Sequence, residues 1–361
     1  MRLAVFVAFA LVLTGARASA LPVFAHRYGF TCEQCHTTVP NLNAFGRYFL
    51  RSGFRLPGGA RGVVPMAVKV QTAYASAAPN GPRLPKAIVD EVEILSAGSL
   101  GRNTSYFLEQ YAVDGGVPGR PRDMWADMRR TFGIDQTGPS LHARMGSFTL
   151  PLPLDPETQR PTLAHYAVFD QTVGNNSFTL FDPRTGLDAY YTDDRRGVEA
   201  HLILAQGVDR GSGFPAAGID TMGSFSKTIG SDLTAYVYRY RGQRALGRLR
   251  DRFARDGYAL SYGHQKLEVT SLVQQGFDTS ADGEGAGALS SGGFLQAGWH
   301  FSDSLALYAR YDRTNDPFNL RQTAATLSLV TRPQRNMRFT LEGSRGADRS
   351  YQVAGGLLFA Y

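Results

Sequence analysis

"YQVAGGLLFAY", residues 351–361, closes the chain and decides the reading of its fold. Tyr351, Val353, Leu357, Phe359 and Tyr361 fall on one face of an extended segment, because side chains alternate across a strand with a period of two. About ten residues with one apolar face suffice to cross a bilayer as a tilted strand. The same pattern recurs upstream. In "NMRFTLEGS" (336–344), Met337, Phe339 and Leu341 alternate with Arg338, Thr340 and Glu342. In "SLALYARYD" (304–312), Leu305, Leu307 and Tyr311 alternate with Tyr308, Arg310 and Asp312. Half-buried strands of soluble sheets alternate as well, so alternation alone does not choose between them.

The rhythm of the connections does choose. About 16 strands (14 is the alternative) are expected to begin near 66, 86, 104, 123, 139, 186, 197, 219, 232, 257, 267, 292, 304, 320, 336 and 351. Long links are expected at 150–185, 208–218, 241–256 and 276–291. Short ones lie between them: "TDDRR" (192–196), "GSD" (230–232), "SDS" (302–304) and "RPQR" (332–335). Long outer loops and short periplasmic turns are the asymmetry of a transmembrane barrel. The terminal aromatic also resembles the C-terminal assembly signal of bacterial outer-membrane proteins. The expectation for residues 66–361 is therefore an all-β, antiparallel transmembrane barrel in the outer membrane of a Gram-negative bacterium. An even strand count puts both barrel ends at one mouth, and a 16-stranded barrel leaves a lumen.

The other end of the chain agrees with export. Residues 1–20, "MRLAVFVAFALVLTGARASA", have a positive start, an apolar run from Leu3 to Leu13 and a small-residue cleavage site at Ala18-Ser19-Ala20. Those are the parts of a secretory signal peptide, and the run is too short to span a bilayer as a helix. The 361-residue chain carries 38 basic and 31 acidic residues, a net +7. Losing Arg2 and Arg17 with the signal leaves 36 against 31, a net +5. No Lys/Arg block of the nucleic-acid kind is present, and export favours lipid headgroups or anionic ligands as partners.

Residues 21–57 carry chemistry. "FTCEQCHTT" (30–38) holds the only two cysteines, Cys32 and Cys35, followed by His36. Cys-x-x-Cys-His is the attachment pattern of a c-type haem: two thiols add across the vinyl groups, and the imidazole becomes the proximal iron ligand. A zinc site would need further Cys or His at ligand spacing, and a thioredoxin-like disulfide would need a βαβ context. Neither surrounds the motif. Pro40 either directs a carbonyl to the other ring nitrogen of His36 or serves as a plain turn residue. In "NLNAFGRYFLRSGF" (41–54), Asn41 or Asn43 caps a short helix, Phe45, Tyr48 and Phe49 share a face, and Gly53 ends it. That aromatic face suits a haem edge or ordinary packing. His26 and Met66 are the nearest candidates for a sixth iron ligand. A segment of this size is expected to plug the lumen.

Residues 24–54, "FAHRYGFTCEQCHTTVPNLNAFGRYFLRSGF", resemble the head of the fused monohaem cytochrome–porins of iron-oxidising bacteria. "GSFTLPLPLDPE" (146–157) and "NNSFTLFDPRTG" (175–186) look like barrel segments of the same family. The resemblance implies one covalent haem c on Cys32, Cys35 and His36, with Pro40, Leu42, Phe45 and Gly46 as structural positions. It implies an electron conduit that takes electrons from an extracellular donor such as Fe(II) or an iron chelate and passes them to a periplasmic carrier. The alternative is a haem-plugged porin whose haem is structural or gates the pore.

Two loops invite ligand readings. "RGQRALGRLRDRFARD" (241–256) gathers Arg241, Arg244, Arg248, Arg250, Arg252 and Arg255, which suits lipopolysaccharide phosphates at an outer rim or an anionic iron chelate. "DTSADGEGAGALSSGG" (278–293) offers Asp278, Asp282 or Glu284 to a hard cation, or is simply solvated.

Overall fold

A computed structural model describes residues 24, 28, 30, 32–38, 41–54, 56, 66–75, 86–132, 138–157, 159–208, 215–246, 249–318, 322–334, 336–347 and 350–360. The expected signal peptide, His26, Pro40, Arg248 and Tyr361 lie outside the described residues. Sixteen strands form the barrel. The first four are β1 (Met66–Ala75), β2 (Lys86–Ser99), β3 (Thr104–Asp114) and β4 (Pro121–Thr131). Next come β5 (Ser140–Phe148), β6 (Arg184–Asp193), β7 (Val198–Val208) and β8 (Pro215–Ile229). Then follow β9 (Leu233–Leu246), β10 (Leu249–His264), β11 (Leu267–Asp278) and β12 (Ala288–Ser302). The last are β13 (Leu305–Asn315), β14 (Gln322–Thr331), β15 (Met337–Gly346) and β16 (Tyr351–Ala360).

Each strand pairs antiparallel with its sequence neighbours, and β16 closes on β1 with Leu357 opposite Thr72 and Phe359 opposite Val70. Closure removes both sheet edges, so no strand is left with an unpaired row of backbone groups. Strands β13 and β15 begin within a residue of where the alternation put them, and the final strand begins at Tyr351 as read.

The faces are inverted relative to a soluble sheet. Leu204, Phe225, Leu260, Leu295, Leu327 and Leu341 are exposed on the outer wall. On the inner wall Glu93, Asp188, Tyr240, Arg255, Tyr308 and Thr340 are each at most 1% exposed. An apolar outside with a polar inside is the arrangement that lipid contact demands. No helix of the described residues is long and apolar enough to cross a membrane.

One expected loop is not a loop. Residues 241–256 continue β9 and β10 as a ladder, from Tyr240 opposite Arg255 up to Leu246 opposite Leu249. The links expected at 208–218 and 276–291 shrink to 209–214 and 279–287. The link between β5 and β6 is long as expected, but it does not stay outside. It folds into the barrel, where Leu150, Tyr166, Val168, Phe169, Phe178 and Leu180 form an apolar core. That core packs against wall residues Ile203, Met222, Tyr240, Phe253, Leu272 and Phe294.

The loop is tied down by buried polar anchors. Glu342 on β15 accepts from the amides of Leu163 and Ala164 at 2.7 and 2.8 Å. Arg310 on β13 donates to Thr162 Oγ1 at 2.6 Å and to the carbonyls of Ala164 and His165 at 3.0 and 2.7 Å. Asn176, fully buried, donates to Asp251 at 2.8 Å and to Asp278 at 3.0 Å. Loop backbone inside a barrel must find such partners or lose the hydrogen bonds water would have supplied. The loop thus fills part of the lumen with protein that has an apolar centre.

Candidate functional site

The head folds against itself before it meets the barrel. Cys32–Cys35 form a single helical turn, and His36–Thr38 pair antiparallel with Asn41–Leu42. Asn43 caps the Ala44–Arg51 helix: its side-chain oxygen accepts from the Gly46 amide at 2.9 Å. The same residue grips the cysteine turn, its amide donating to the Cys35 carbonyl at 2.9 Å and its side chain to the Gln34 carbonyl at 3.0 Å. Gly46 is needed there, because a Cβ would lie 2.1 Å from the Cys35 carbonyl oxygen. Gly53, at φ +72°, turns the chain just past the helix.

The head sits inside the mouth that carries both barrel ends. Phe24, Phe49 and Phe54 cluster with Ala97 of β2 and pack on Phe107 and Trp125 of β3 and β4. Phe24 stacks on Phe54 at 5.0 Å and meets Phe49 edge-on at 5.1 Å. Arg51, the last helical residue, donates to Glu199 of β7 at 2.5 Å and pairs with Asp194 in the β6–β7 turn. Burial pushes the Asp194 carboxyl above the ordinary carboxylate range, against the pull of Arg51. Arg129 of β4 donates to the Arg51 carbonyl at 3.5 Å.

Between the head and the lumenal loop lies a chamber of about 1230 Å³. Cys35 and His36 line it from the head, Leu150 and Leu152 from the loop, and Trp125 and Phe107 from the wall. Its volume exceeds the roughly 300–1,000 Å³ of ordinary small-molecule pockets, and its lining combines apolar surface with many charged groups. One set of those groups forms a chain along the wall. Arg51 meets Glu199, and Glu199 Oε1 meets His201 Nε2 at 2.8 Å. His201 Nδ1 meets both Asp188 oxygens at 3.0 Å, and Arg144 Nη2 donates to Asp188 at 2.7 Å. The rings of His142, Tyr190 and His201 stack beside it, with centroids 4.2 and 4.8 Å apart. A second set, Lys69, Glu91, Glu93, Glu109 and Asp123, lines the chamber on β1 to β4. Lys69 pairs with Glu91 and Glu93, whereas Glu109 Oε1 is buried without a hydrogen-bond partner.

The residues expected to carry function divide accordingly. Cys35 and His36 reach the chamber together, and Cys32 opens their turn. Phe45 packs on Phe30 and Phe49, at 5.6 and 6.4 Å, and does not line the chamber. Met66 is corrected as a ligand candidate: it begins β1 on the outer face, 60% exposed, while its neighbour Ala67 is buried. The arginine cluster is corrected too. Arg244 and Arg255 point inward to Asp220 and Asp278, at 2.9 and 2.8 Å, whereas among the described arginines of the cluster Arg241, Arg250 and Arg252 are exposed. Asp278 is consumed by that pair. Asp282 accepts the amides of Glu284, Ala286 and Gly285, which hold its carboxyl below the usual range. Among the described residues no cluster of three or more His, Cys, Asp or Glu has metal-site geometry.

Sequence reasoning missed Arg144, Asp188, His201 and Glu109, and it missed the inward course of residues 149–183. The four are single polar positions on alternating strands, and only strand register brings them to one wall.

No protein-family profile matches the chain. No curated protein matches it either. Solved structures do. An anion-selective porin from Comamonas acidovorans superimposes with a TM-score of 0.61 at 15% identity, covering 83% of this chain and 99% of the porin. OmpF of Salmonella typhi, solved with daunomycin, gives 0.62 at 10% identity over 82% and 97%. The outer-membrane channel DcaP of Acinetobacter baumannii gives 0.58 at 9% identity over 86% and 100%. At such identities the likeness is one of fold: the chain has the closed 16-stranded barrel of the porins.

Proposed function

We propose that this protein is an outer-membrane electron conduit, in which one haem c attached at Cys32 and Cys35, with His36 as proximal ligand, occupies the chamber. The observation that carries the proposal is that Cys35 and His36 line one chamber of the lumen together with Trp125, Phe107, Leu150 and Leu152. A lumen narrowed by the loop is less suited to solute diffusion, and the aromatic and aliphatic lining beside His36 suits a flat apolar cofactor.

The residues present fit the group. Trp125, Phe107, Phe49, Leu150 and Leu152 offer apolar contact to a macrocycle, and Arg47, Arg160 and Lys227 are among the cationic side chains lining the chamber that suit its carboxylates. Bound there, a haem supplies a one-electron couple whose potential follows from ligation, burial and hydrogen bonding. The chain does the rest. Asn43 and Gly46 fix the cysteine turn, Arg51 fixes the head in the barrel, and residues 149–183 keep bulk water out from the far mouth. A donor such as Fe(II) gives up one electron on the far side and becomes Fe(III), and a periplasmic carrier takes one electron at the mouth that bears the head. The short turns on the head-bearing side agree with a periplasmic face.

The porin fold favours a second reading, in which the haem is a structural plug or redox gate. The two part on one test. Purified protein from a host with c-type haem maturation is mixed with Fe(II), and its visible spectrum is followed. A covalent haem that becomes reduced supports the conduit. A haem that stays oxidised under excess Fe(II) removes it and leaves the plug.

A further inference from the structure

The two mouths of the barrel differ in charge. Among the described residues, the short turns of the head-bearing mouth expose four cations, Arg102, Arg195, Arg196 and Lys266, against one acid, Asp303. The described connections at the other mouth expose one of each, Arg120 and Glu284. We propose that the head-bearing rim, centred on the β6–β7 turn at 194–197, docks an acidic periplasmic redox protein that takes the electron from the haem site. The inference rests on the haem reading above and deepens it by giving the chemistry of the carrier.

The turn is built to present its cations and withdraw its acids. Asp194 pairs with Arg51 of the head helix, and the buried Asp193 accepts from the Arg196 amide at 3.1 Å. The Arg196 side chain stays 77% exposed, with its Nε 3.7 Å from Asp193. Lys227 of β8 donates to the Arg196 carbonyl and so fixes the turn, and Gly197 supplies the φ of +61° that closes it. Elsewhere on the rim Asp232 is bonded to His264 at 2.7 Å. The charge left facing outward is basic.

The same turn borders the haem site. Asp194, Arg195, Arg196 and Gly197 line the chamber that Cys35 and His36 also line. Arginines placed there look into the mouth rather than along the lipid wall, which favours a protein partner over lipid headgroups. A carrier seated on the turn comes close to the attached group without entering the barrel. Electron-transfer encounters are small and transient, and complementary charge selects the partner and speeds its arrival. The haem iron is oxidised by one electron and the carrier's centre is reduced by one; no bond forms or breaks.

The test uses the full-length holoprotein in a non-ionic detergent. One variant pairs Arg195→Glu with Arg196→Glu, and a second pairs Arg102→Glu with Lys266→Glu on the same rim. A third, Arg250→Glu with Arg252→Glu, reverses charge at the far mouth. Binding of a fluorescein-labelled decaglutamate peptide is followed by anisotropy. Reduced haem is oxidised in a stopped-flow by ferricyanide, an anion, or by tris(phenanthroline)cobalt(III), a cation. Peptide binding is expected to weaken with salt and to fall in both rim variants. Ferricyanide oxidation of the Arg195→Glu, Arg196→Glu protein is expected to slow roughly ten-fold, the low end of electrostatic steering, while oxidation by the cobalt cation accelerates. The far-mouth variant is expected to keep both oxidation rates. A ferricyanide-to-cobalt rate ratio unchanged in the rim variants overturns the proposal, as does peptide binding lost only in the far-mouth variant. If the first rim variant does not assemble, the second decides by the same criteria. If phosphatidylglycerol mixed into the detergent erases the difference between wild type and rim variants, the rim is a headgroup site and the proposal falls. A wild type without covalent haem in its visible spectrum overturns the functional reading itself, and peptide binding then still judges the rim.

Discussion

Arg51, at the end of the head helix, reaches across to Glu199 on β7 at 2.5 Å, a contact between residues 148 positions apart in the chain. Both side chains are at most 30% exposed. This is where the head is fastened to the barrel wall. A charge-assisted hydrogen bond of this kind contributes about 1.5–3 kcal/mol. Replacing Arg51 by Ala is expected to loosen the head while leaving the barrel closed. Limited proteolysis checks it: cleavage within 44–54 should accelerate roughly ten-fold or more, each 1.4 kcal/mol being a factor of ten when opening is in equilibrium. Heat-modifiable migration of the barrel on gels should not change.

The lumenal loop, rather than the head alone, is expected to close the pore. Planar-bilayer recordings of a protein lacking residues 21–57 should remain at low conductance. Replacing Glu342 by Ala strips the acceptors from the Leu163 and Ala164 amides, at about 1–3 kcal/mol for each donor left unpaired. That variant should show frequent openings. Steady, large conductance on head deletion alone would contradict the seal.

Glu109 lies one strand from Glu93 on the inner face, opposite Leu95 and two positions from the residue facing Glu93. It is 1% exposed and its Oε1 has no hydrogen-bond partner. An unpartnered buried carboxylate is costly. Glu109→Gln, which removes the ionisable group and keeps the shape, is expected to stabilise the barrel by on the order of 1 kcal/mol. The measurement is the urea midpoint for unfolding in detergent, which should rise; a lowered midpoint would show that the charge is needed.

The β9–β10 hairpin separates two kinds of arginine. Arg255→Ala leaves Asp278 buried without its charge partner, a loss of about 3–5 kcal/mol. Arg250→Ala and Arg252→Ala, on exposed positions, should lie within about 0.5 kcal/mol of wild type. Equilibrium unfolding of the three variants compares them directly.

This hairpin also shows where sequence reading stops. Alternation located the strands because lipid on one side and polar lumen on the other impose a period of two on every strand. Arg244 and Arg255 belong to that period, yet the run of arginines looked like an outer loop for anionic ligands, since nothing local announces Asp220 or Asp278 across the ladder. The 149–183 segment was legible as long but not as inward: its Phe and Tyr residues gain their partners from β7 to β12, far away in sequence. The Cys32-x-x-Cys35-His36 pattern could be read from sequence because it stands within five residues. Its chamber could not, because Arg144, Asp188 and His201 meet only through strand register.

The central claim is that electrons cross this barrel while ions and water-soluble solutes do not. It is tested most directly in proteoliposomes holding the haem-loaded protein, with a trapped electron acceptor and a trapped small fluorophore, and Fe(II) supplied outside. The account predicts that the acceptor becomes reduced, that the fluorophore stays inside, and that the Cys32→Ala, Cys35→Ala double variant abolishes the reduction. An acceptor that stays oxidised while the fluorophore escapes would contradict it.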